Sequence, residues 1–296
     1  VTDAPRILVF GGINQDEVTR VARHPLPGET VIATSSHTFQ GGKGANQAYA
    51  AAVAGSDAVT VEMVGAVGGD DAGLSALASL QAAGVDTALV ATISGVPTGR
   101  AYITVSDAGQ NSIVVAPGAN SHLSAAAVEN VMAPTVVVAQ TEVGASEVNA
   151  VCAYAERVGA RLVINDGPVV GLSHAALAYA DPLVVNEHEA ADLLREVIPP
   201  AEHLALARAL LDQIGSRSVV VTLGGAGSVI ADGDGVRHHA TTLASTVVDT
   251  TGAGDTFVGA LAAALATRST LDDAIELAAH AATASVGWAG ARSPLH

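Results

Sequence analysis

A carboxylate directly follows a glycine loop in the run Val248-Asp249-Thr250-Thr251-Gly252-Ala253-Gly254-Asp255-Thr256-Phe257. The run reads as a strand ending near Val248 and an apolar helix starting near Gly254. Glycines there let backbone approach a ligand closely. A helix N-terminus adds free N–H groups and positive dipole character, which suit an anion. A carboxylate at the same place disfavours simple phosphate binding. The pairing makes chemical sense if Asp255 accepts a proton from a hydroxyl while the N–H groups stabilise a phosphoryl group in transfer. The bland alternative is an Asp favoured at a helix start by the dipole alone.

Four further groups carry polar chemistry. Gly41-Gly42-Lys43-Gly44-Ala45-Asn46-Gln47 opens an alanine-rich helix. It is not a P-loop, because His37 and Gly44 stand where that motif needs Gly and Ser or Thr. Lys43 and Asn46 lie three apart on the first turn and can face one ligand, and a cation with an amide suits a polyhydroxylated one. Asn14 and Asp16 share a face if the chain stays extended after the first strand; a solvated turn is the alternative. Asn186-Glu187-His188-Glu189 follows a strand. Asn186 and Glu189 fit either the water shell of Mg²⁺ or a capping box, or both. Thr222-Leu223-Gly224-Gly225-Ala226-Gly227 lies between two apolar strands, where it either lines a nucleotide or makes a plain hairpin turn.

These groups need a scaffold, and the second half of the sequence supplies its rhythm. Short apolar runs at Val136-Val138, Arg161-Ile164, Pro182-Val185 and Ser218-Val221 alternate with helical stretches at about 145–158, 189–195 and 203–214. Two last helices are predicted at 254–267 and 271–286. Continuous apolar strands separated by helices predict a three-layer α/β/α fold with a mostly parallel central sheet. Two segments, about 13–40 and 93–115, break the rhythm. In the second, Arg100, Tyr102 and Thr104 alternate with Ala101, Ile103 and Val105, which predicts a small antiparallel β lid over one end of a single domain spanning 1–296.

Composition sets the outer limits. Hydrophobic residues make up 49% and aromatics only 3%, so the core is expected from Ala, Val, Leu and Ile. With 29 acidic and 13 basic residues the net charge is −16, which argues against nucleic acid and anionic membrane as partners. A lone cysteine, Cys152, allows neither an internal disulfide nor a cysteine zinc cluster. The ten histidines show no metal-ligand spacing. No leader peptide and no membrane span are expected, and a reduced, cytoplasmic setting is.

Taken together, the motifs Gly41-Gly42-Lys43-Gly44-Ala45-Asn46-Gln47-Ala48 and Asp249-Thr250-Thr251-Gly252-Ala253-Gly254-Asp255-Thr256-Phe257 resemble the two signatures of the ribokinase and phosphofructokinase-B family of sugar kinases. The resemblance runs over nearly the whole sequence. Asn14, Asp16 and Pro27-Gly28-Glu29-Thr30 point to its ribose-phosphorylating branch. It implies ATP-dependent transfer to the 5-hydroxyl of D-ribose, with Asp255 as general base and Gly252, Ala253 and Gly254 as anion hole. Asn14, Asp16, Gly42, Lys43, Asn46 and Glu142 would hold the sugar. Asn186 and Glu189 would serve Mg²⁺ and phosphates, and Thr222, Gly224 and Gly227 would line ATP, with Gly254 at its phosphates. Asp249, Thr251, Ser285 and Gly290 would surround an activating K⁺. The lid would cover the sugar and join a homodimer. The sequence departs from the family at Ala279 beside His280, where an adenine contact is expected, at Trp288 in the cation loop, and at Arg100, where an apolar residue is expected near the sugar. No final helix is expected after Pro294.

Overall fold

The computed structural model describes residues 4–195 and 202–294. The chain enters through β1 (Arg6–Phe10), turns at Gly11-Gly12, and continues into β2 (Asn14–Val21) and β3 (Ser35–Gly41). Helix α1 (Lys43–Gly55) leads to β4 (Thr60–Gly68), α2 (Asp71–Ala82), β5 (Val85–Asp86) and β6 (Val90–Ile93). Next come β7 (Gly99–Ser106), β8 (Asn111–Ala116), β9 (Val136–Gln140), α3 (Ala145–Val158) and β10 (Arg161–Asn165). Then follow α4 (His174–Tyr179), β11 (Leu183–Asn186), α5 (Glu187–Leu194), α6 (His203–Ile214) and β12 (Val219–Thr222). The hairpin β13 (Ser228–Asp232) and β14 (Gly235–His239) precedes α7 (Ala253–Ala266) and α8 (Leu271–Ser285).

The main sheet runs β14-β13-β12-β11-β10-β9-β1-β4-β5, with β6 also paired to β4. Pairing is parallel from β12 through β5, and only β13 and β14 are antiparallel. Both faces are covered, so each strand feeds two cores. In β1, Leu8 and Phe10 pack on the side of α3, α4, α5 and α6, while Ile7 and Val9 pack on the side of α1, α2, α7 and α8. That is why these strands read as unbroken apolar runs rather than alternating ones.

Small residues bring α1 and α7 together. A Cβ at Gly259 would lie 2.6 Å from the Ala50 Cβ and would overlap the Gln47 carbonyl oxygen. The consequence is functional, because α1 carries Lys43, Asn46 and Gln47 while α7 carries Asp255.

The second sheet has the order β3-β2-β7-β8 and arises from the two expected segments. Two of its three pairings are antiparallel, but the central pair, β2 with β7, is parallel. Its strands come from separate excursions, so β7 re-enters in the direction of β2 after the chain has crossed the main sheet. The stretch from Thr60 to Ile93, unread in the sequence, supplies β4 to β6 and α2. Arg100 pairs with Gln15 and Ala101 with Asp16. Neighbours on a strand face opposite sides, so Arg100 points away from the face that carries Asp16. The apolar Ala101 and Ile103 stand on the Asp16 side instead. The apolar residue expected near the sugar is therefore found in Ala101 and Ile103, while Arg100 faces the other side.

Candidate active site

Segments far apart in sequence converge beyond the C-terminal ends of the parallel strands, where open α/β sheets place their ligands. After β1 the chain bends at Gly11-Gly12-Ile13. Asn120 staples this bend: its Oδ1 accepts from the Ile13 N–H at 2.9 Å, and its Nδ2 donates to the Ile13 carbonyl at 3.0 Å and to Asn14 Oδ1 at 2.8 Å. Asn14 is thereby fixed at the root of the lid. Two residues on, Asp16 lies against Gly41, where any Cβ would overlap its carboxylate.

Helix α1 starts tightly on this bend. Gly42 has φ +83°, and a Cβ there would sit 2.6 Å from the Asn14 nitrogen and the Gly12 oxygen. The Lys43 N–H donates to Glu142 Oε2 at 2.9 Å, and the Glu142 N–H donates to Gln140 Oε1 at 2.9 Å. Glu142, just past β9, is thus aimed at the start of α1.

Asp255 sits in the first turn of α7 with only 9% of its surface exposed. Its Oδ1 accepts from Gln47 Nε2 at 3.0 Å and its Oδ2 from Asn46 Nδ2 at 3.1 Å. Gln47 Nε2 also donates to Asn165 Oδ1 at 2.8 Å. Beside Asp255, the Ala253 N–H donates to the Thr250 carbonyl at 3.3 Å. The N–H groups of Gly254 and Asp255 have no acceptor among the described residues. A Cβ at Gly254 would meet open space. The Gly252 N–H likewise has no acceptor among the described residues, so three amides are free at this helix start while that of Ala253 is taken.

The electrostatics follow from burial. Desolvation pushes the Asp255 carboxyl above its ordinary pKa, against the pull of Lys43, Asn46, Gln47 and Arg292. Desolvation also raises Glu142 to about 7, opposed by the Lys43 amide and seconded by Asp255. Asp16 rises to about 6 by burial, with Arg292 opposing and Asp255 adding. Lys43 is held above its ordinary value: burial works against it, but Asp255, Glu189 and Glu142 outweigh burial. Three carboxylates whose ionised forms are destabilised surround one lysine, an arrangement that favours proton acceptance at the buried carboxylate.

The remaining expected residues fall in two places. Asn186 and Glu189 form a full capping box on α5: Asn186 Oδ1 accepts from the Glu189 N–H at 2.9 Å, and Glu189 Oε2 accepts from the Asn186 N–H at 2.8 Å. A Cβ on Gly167 would clash with Glu189 Oε1, so this carboxylate lies against the turn after β10. Thr222, Gly224 and Gly227 form the β12–β13 hairpin turn, with Gly224 at φ +56° and Gly227 at φ +96°. Nearby, His238, His239, Ile275, Ala279, His280 and Thr283 line a cavity of about 550 Å³. Ala279 therefore supplies a small apolar wall, with His280 beside it.

The loop before α7 is tied to the segment after α8. Asp249 Oδ1 accepts from the Thr251 N–H at 2.9 Å and from its hydroxyl at 2.7 Å, and Oδ2 accepts from the Gly290 N–H at 2.9 Å. Burial would raise the Asp249 pKa, but these donors overcome it and hold the carboxyl below its ordinary value. The Val248 N–H donates to the Val286 carbonyl at 2.7 Å. Ser285 is buried, and its hydroxyl donates to the Ala282 carbonyl at 2.8 Å. Residues 248–251 and 289–291 close a cavity of about 730 Å³ against the lid face bearing Asp16, Phe39 and Ile103. Trp288, next to this wall, is half-buried.

Several site residues escaped the sequence reading. Asn120 lies more than 100 positions from its partners, and nothing local marks it. Asn165 ends the buried strand β10 and Asp166 follows it, a place where polar residues signal a ligand face. Gln47 lay inside the quoted glycine motif, one residue past Asn46. Arg292 contacts Asn46 across 246 positions.

The three-layer fold, the buried carboxylate at a helix start and the polar cleft define a phosphotransferase acting on a sugar hydroxyl. Residues 4–296 match the model of the pfkB family carbohydrate kinases, and the chain belongs to that family. It is 37% identical over 290 residues to the ribokinase of Bacillus subtilis, covering 97% of this chain and 94% of that protein. It is 35% identical to the ribokinase of Schizosaccharomyces pombe, covering 98% and 94%. The structure of Arabidopsis thaliana ribokinase complexed with ribose and ATP superposes with a TM-score of 0.85 at 30% identity, over 97% of this chain and 94% of that one.

Proposed function

We propose that this chain transfers the γ-phosphoryl of ATP to the 5-hydroxyl of D-ribose, with Asp255 as the general base. The observation that carries this reading is the Asp255 carboxylate, buried beside the acceptor-free amides of the helix start and oriented by Asn46 and Gln47. A carboxylate so placed can take the hydroxyl proton while the Gly254 and Asp255 amides stabilise the charge that develops on the phosphoryl oxygens. Asn14, Asp16, Gly42, Lys43 and Glu142 surround the place where the sugar would lie, and Asn46 reaches it through Asp255. Kinship with ribokinases over nearly the full chain supports ribose as the acceptor.

The cavity lined by Ala279 and His280 suits an adenine, with the β12–β13 turn at its edge. Mg²⁺ would be served by Glu189, with Asn186 capping its helix. A single capped carboxylate fits a cation that keeps its waters and is carried in by nucleotide phosphates. The ionised Asp249, with Thr251, Ser285 and Gly290, offers an oxygen-only donor set that fits K⁺. Bound there, a cation would add positive charge near the start of α7. The exposed edge of β8 and the outer lid face, with Tyr102 and Val114 exposed, suit pairing with a second copy. Among the described residues no helix is long and apolar enough to cross a membrane. The ATP requirement supports a cytoplasmic setting.

The test is a coupled ADP-release assay with ribose, deoxyribose, fructose and a nucleoside, each with K⁺ and with K⁺ replaced by a bulky organic cation. Ribose should give the highest kcat/KM, and K⁺ should raise it. Preference for another acceptor would reject the ribose assignment, and indifference to K⁺ would reject the cation site.

The raised carboxyls make a separate prediction. In the folded protein Glu142 and Asp16 hold protons more tightly than in the unfolded chain. Their contribution to stability is therefore complete below about pH 4 and is lost as pH rises through about 6 and about 7. Glu142→Gln should raise the Tm at pH 8 by roughly 2–6 °C while weakening sugar binding. An unchanged or lower Tm in a thermal melt at pH 8 would remove the idea that this carboxylate is kept for binding at a cost in stability.

A further inference from the structure

Arg292 is absent from every role assigned above, yet its guanidinium reaches into the base of the site. The segment after α8 is pinned on α1, where the Tyr49 hydroxyl donates to the Ser293 carbonyl at 2.7 Å. From there the Arg292 Nε donates to Asn46 Oδ1 at 3.0 Å, one Nη to Ser79 Oγ at 2.9 Å, and the other to the Gly41 carbonyl at 3.2 Å. Its guanidinium carbon lies 5.6 Å from the centre of the Tyr49 ring. One side chain thus ties together the end of β3, the first turn of α1, and α2.

We infer that Arg292 is a positioning residue for phosphoryl transfer: it pins the Asn46 amide so that only its N–H side can face Asp255. The argument rests on donor and acceptor chemistry. A guanidinium donates and never accepts. With Arg292 on one side of Asn46, the amide oxygen must face Arg292 and the NH₂ must face the carboxylate, as the 3.1 Å contact to Asp255 Oδ2 shows. Without Arg292 the amide is free to rotate and present its oxygen to the carboxylate, which repels the ionised base. A second contribution is charge. Asp16, Glu142 and Asp255 act on one another in this cluster, and Lys43 and Arg292 are the cations facing them. Burial lowers Arg292 itself to about 10, so it stays protonated through the neutral range.

This inference rests on the reading of Asp255 as the base, and the experiment separates the two. Arg292→Met keeps the side-chain length and removes donors and charge. Its kcat should fall about 10–100-fold while the sugar KM stays within about threefold, because orientation of the base rather than sugar contact is lost. The acid limb of its kcat/KM profile should also move to higher pH, by roughly one unit. Combined with Asn46→Ala, it should cost no further kcat on the pH plateau, where the charge of Arg292 no longer counts. An unchanged kcat and acid limb, or full additivity with Asn46→Ala, would overturn the role. If Arg292→Met does not fold, Arg292→Gln decides. It keeps a donor for Asn46 without charge, so kcat should be largely retained with the acid limb still raised. An unmoved limb would overturn the charge contribution, and a kcat loss as deep as that of Asn46→Ala would overturn the pinning. An active Asp255→Asn would sink the base reading itself; an inactive Asp255→Asn beside a normal Arg292→Met would sink only the role of Arg292.

Discussion

Asp255→Asn should lower kcat by about 10²–10⁴-fold while leaving sugar affinity within a few-fold, the loss expected when a general base is neutralised in place. The geometry makes this variant informative in a second way. Asn46 and Gln47 both donate to the two carboxylate oxygens. An asparagine at 255 turns one acceptor into an NH₂ group that faces a donor. Asn46 cannot rotate to relieve this, because Arg292 holds its oxygen. Gln47 can, since its Oε1 is buried without a partner. The variant therefore keeps a route to a satisfied network at the expense of the Gln47 bond to Asn165.

Stability gives the sign that separates base from helix cap. An Asp that serves only the dipole contributes about 0.3–1 kcal/mol, and its neutral variant melts lower. Burial instead raises the Asp255 pKa, so its ionised form costs stability at neutral pH. That cost is absent below the unfolded pKa and grows as pH rises through the folded one. Asp255→Asn should then melt at the same temperature as the parent or a few degrees higher at pH 8. Thermal melts beside the kinetic assay check it: a lower Tm with retained turnover would reduce Asp255 to a structural residue.

The second large effect is expected at Gly44. A Cβ there would stand 2.6 Å from both the Cα and carbonyl carbon of Gly11 and 2.8 Å from the Gly12 nitrogen. Helix propensity favours alanine over glycine by about 1 kcal/mol, which alone would make Gly44→Ala stabilising. Sterics decide otherwise. The neighbours are backbone atoms at the end of β1, which is held between β4 and β9. They cannot step aside as a flexible side chain would. Overpacking of this kind costs about 1–3 kcal/mol and occasionally more. Gly44→Ala should lower the Tm by roughly 4–10 °C. It should also lower kcat/KM at least tenfold, because displacing α1 moves Lys43, Asn46 and Gln47 together. Gly28→Ala is the control: it has φ +81° but open space, so strain near 1–2 kcal/mol is its whole cost and activity should persist. Equal melting and activity for Gly44→Ala and the parent would refute the steric argument.

The sequence disclosed most of the elements and the chemical poles of the site. Strands buried on both faces leave unbroken apolar runs, so β1, β9, β10 and β12 were legible, and the helices at 145–158 and 203–214 matched to the residue. The motif at 249–257 was legible because glycine, helix start and carboxylate have one chemical sense in common. What stayed hidden depends on pairing across the fold. The face of Arg100 is set by its register with Gln15, and period-two alternation alone cannot say which face meets the cleft. The parallel direction of β2 and β7 depends on the path between them. Asn120, Asn165 and Arg292 act on partners tens to hundreds of positions away, and each is an ordinary polar residue until the fold delivers it. The Asn186 and Glu189 pair shows the converse, because the capping box read from spacing is present in full.

The parallel pairing of β2 with β7 also fixes an order of assembly. Asn14 meets Gly99, and Val21 meets Ser106, so every bond in that ladder closes a loop of 85 residues. Such contacts repay their chain entropy only after the intervening β4 has joined the sheet. The lid therefore waits on β4, but all four of its strands precede Asp255, whose contact with Asn46 closes a separation of 209 positions. A newly made chain thus holds the strands of this second sheet well before it holds the carboxylate at the start of α7.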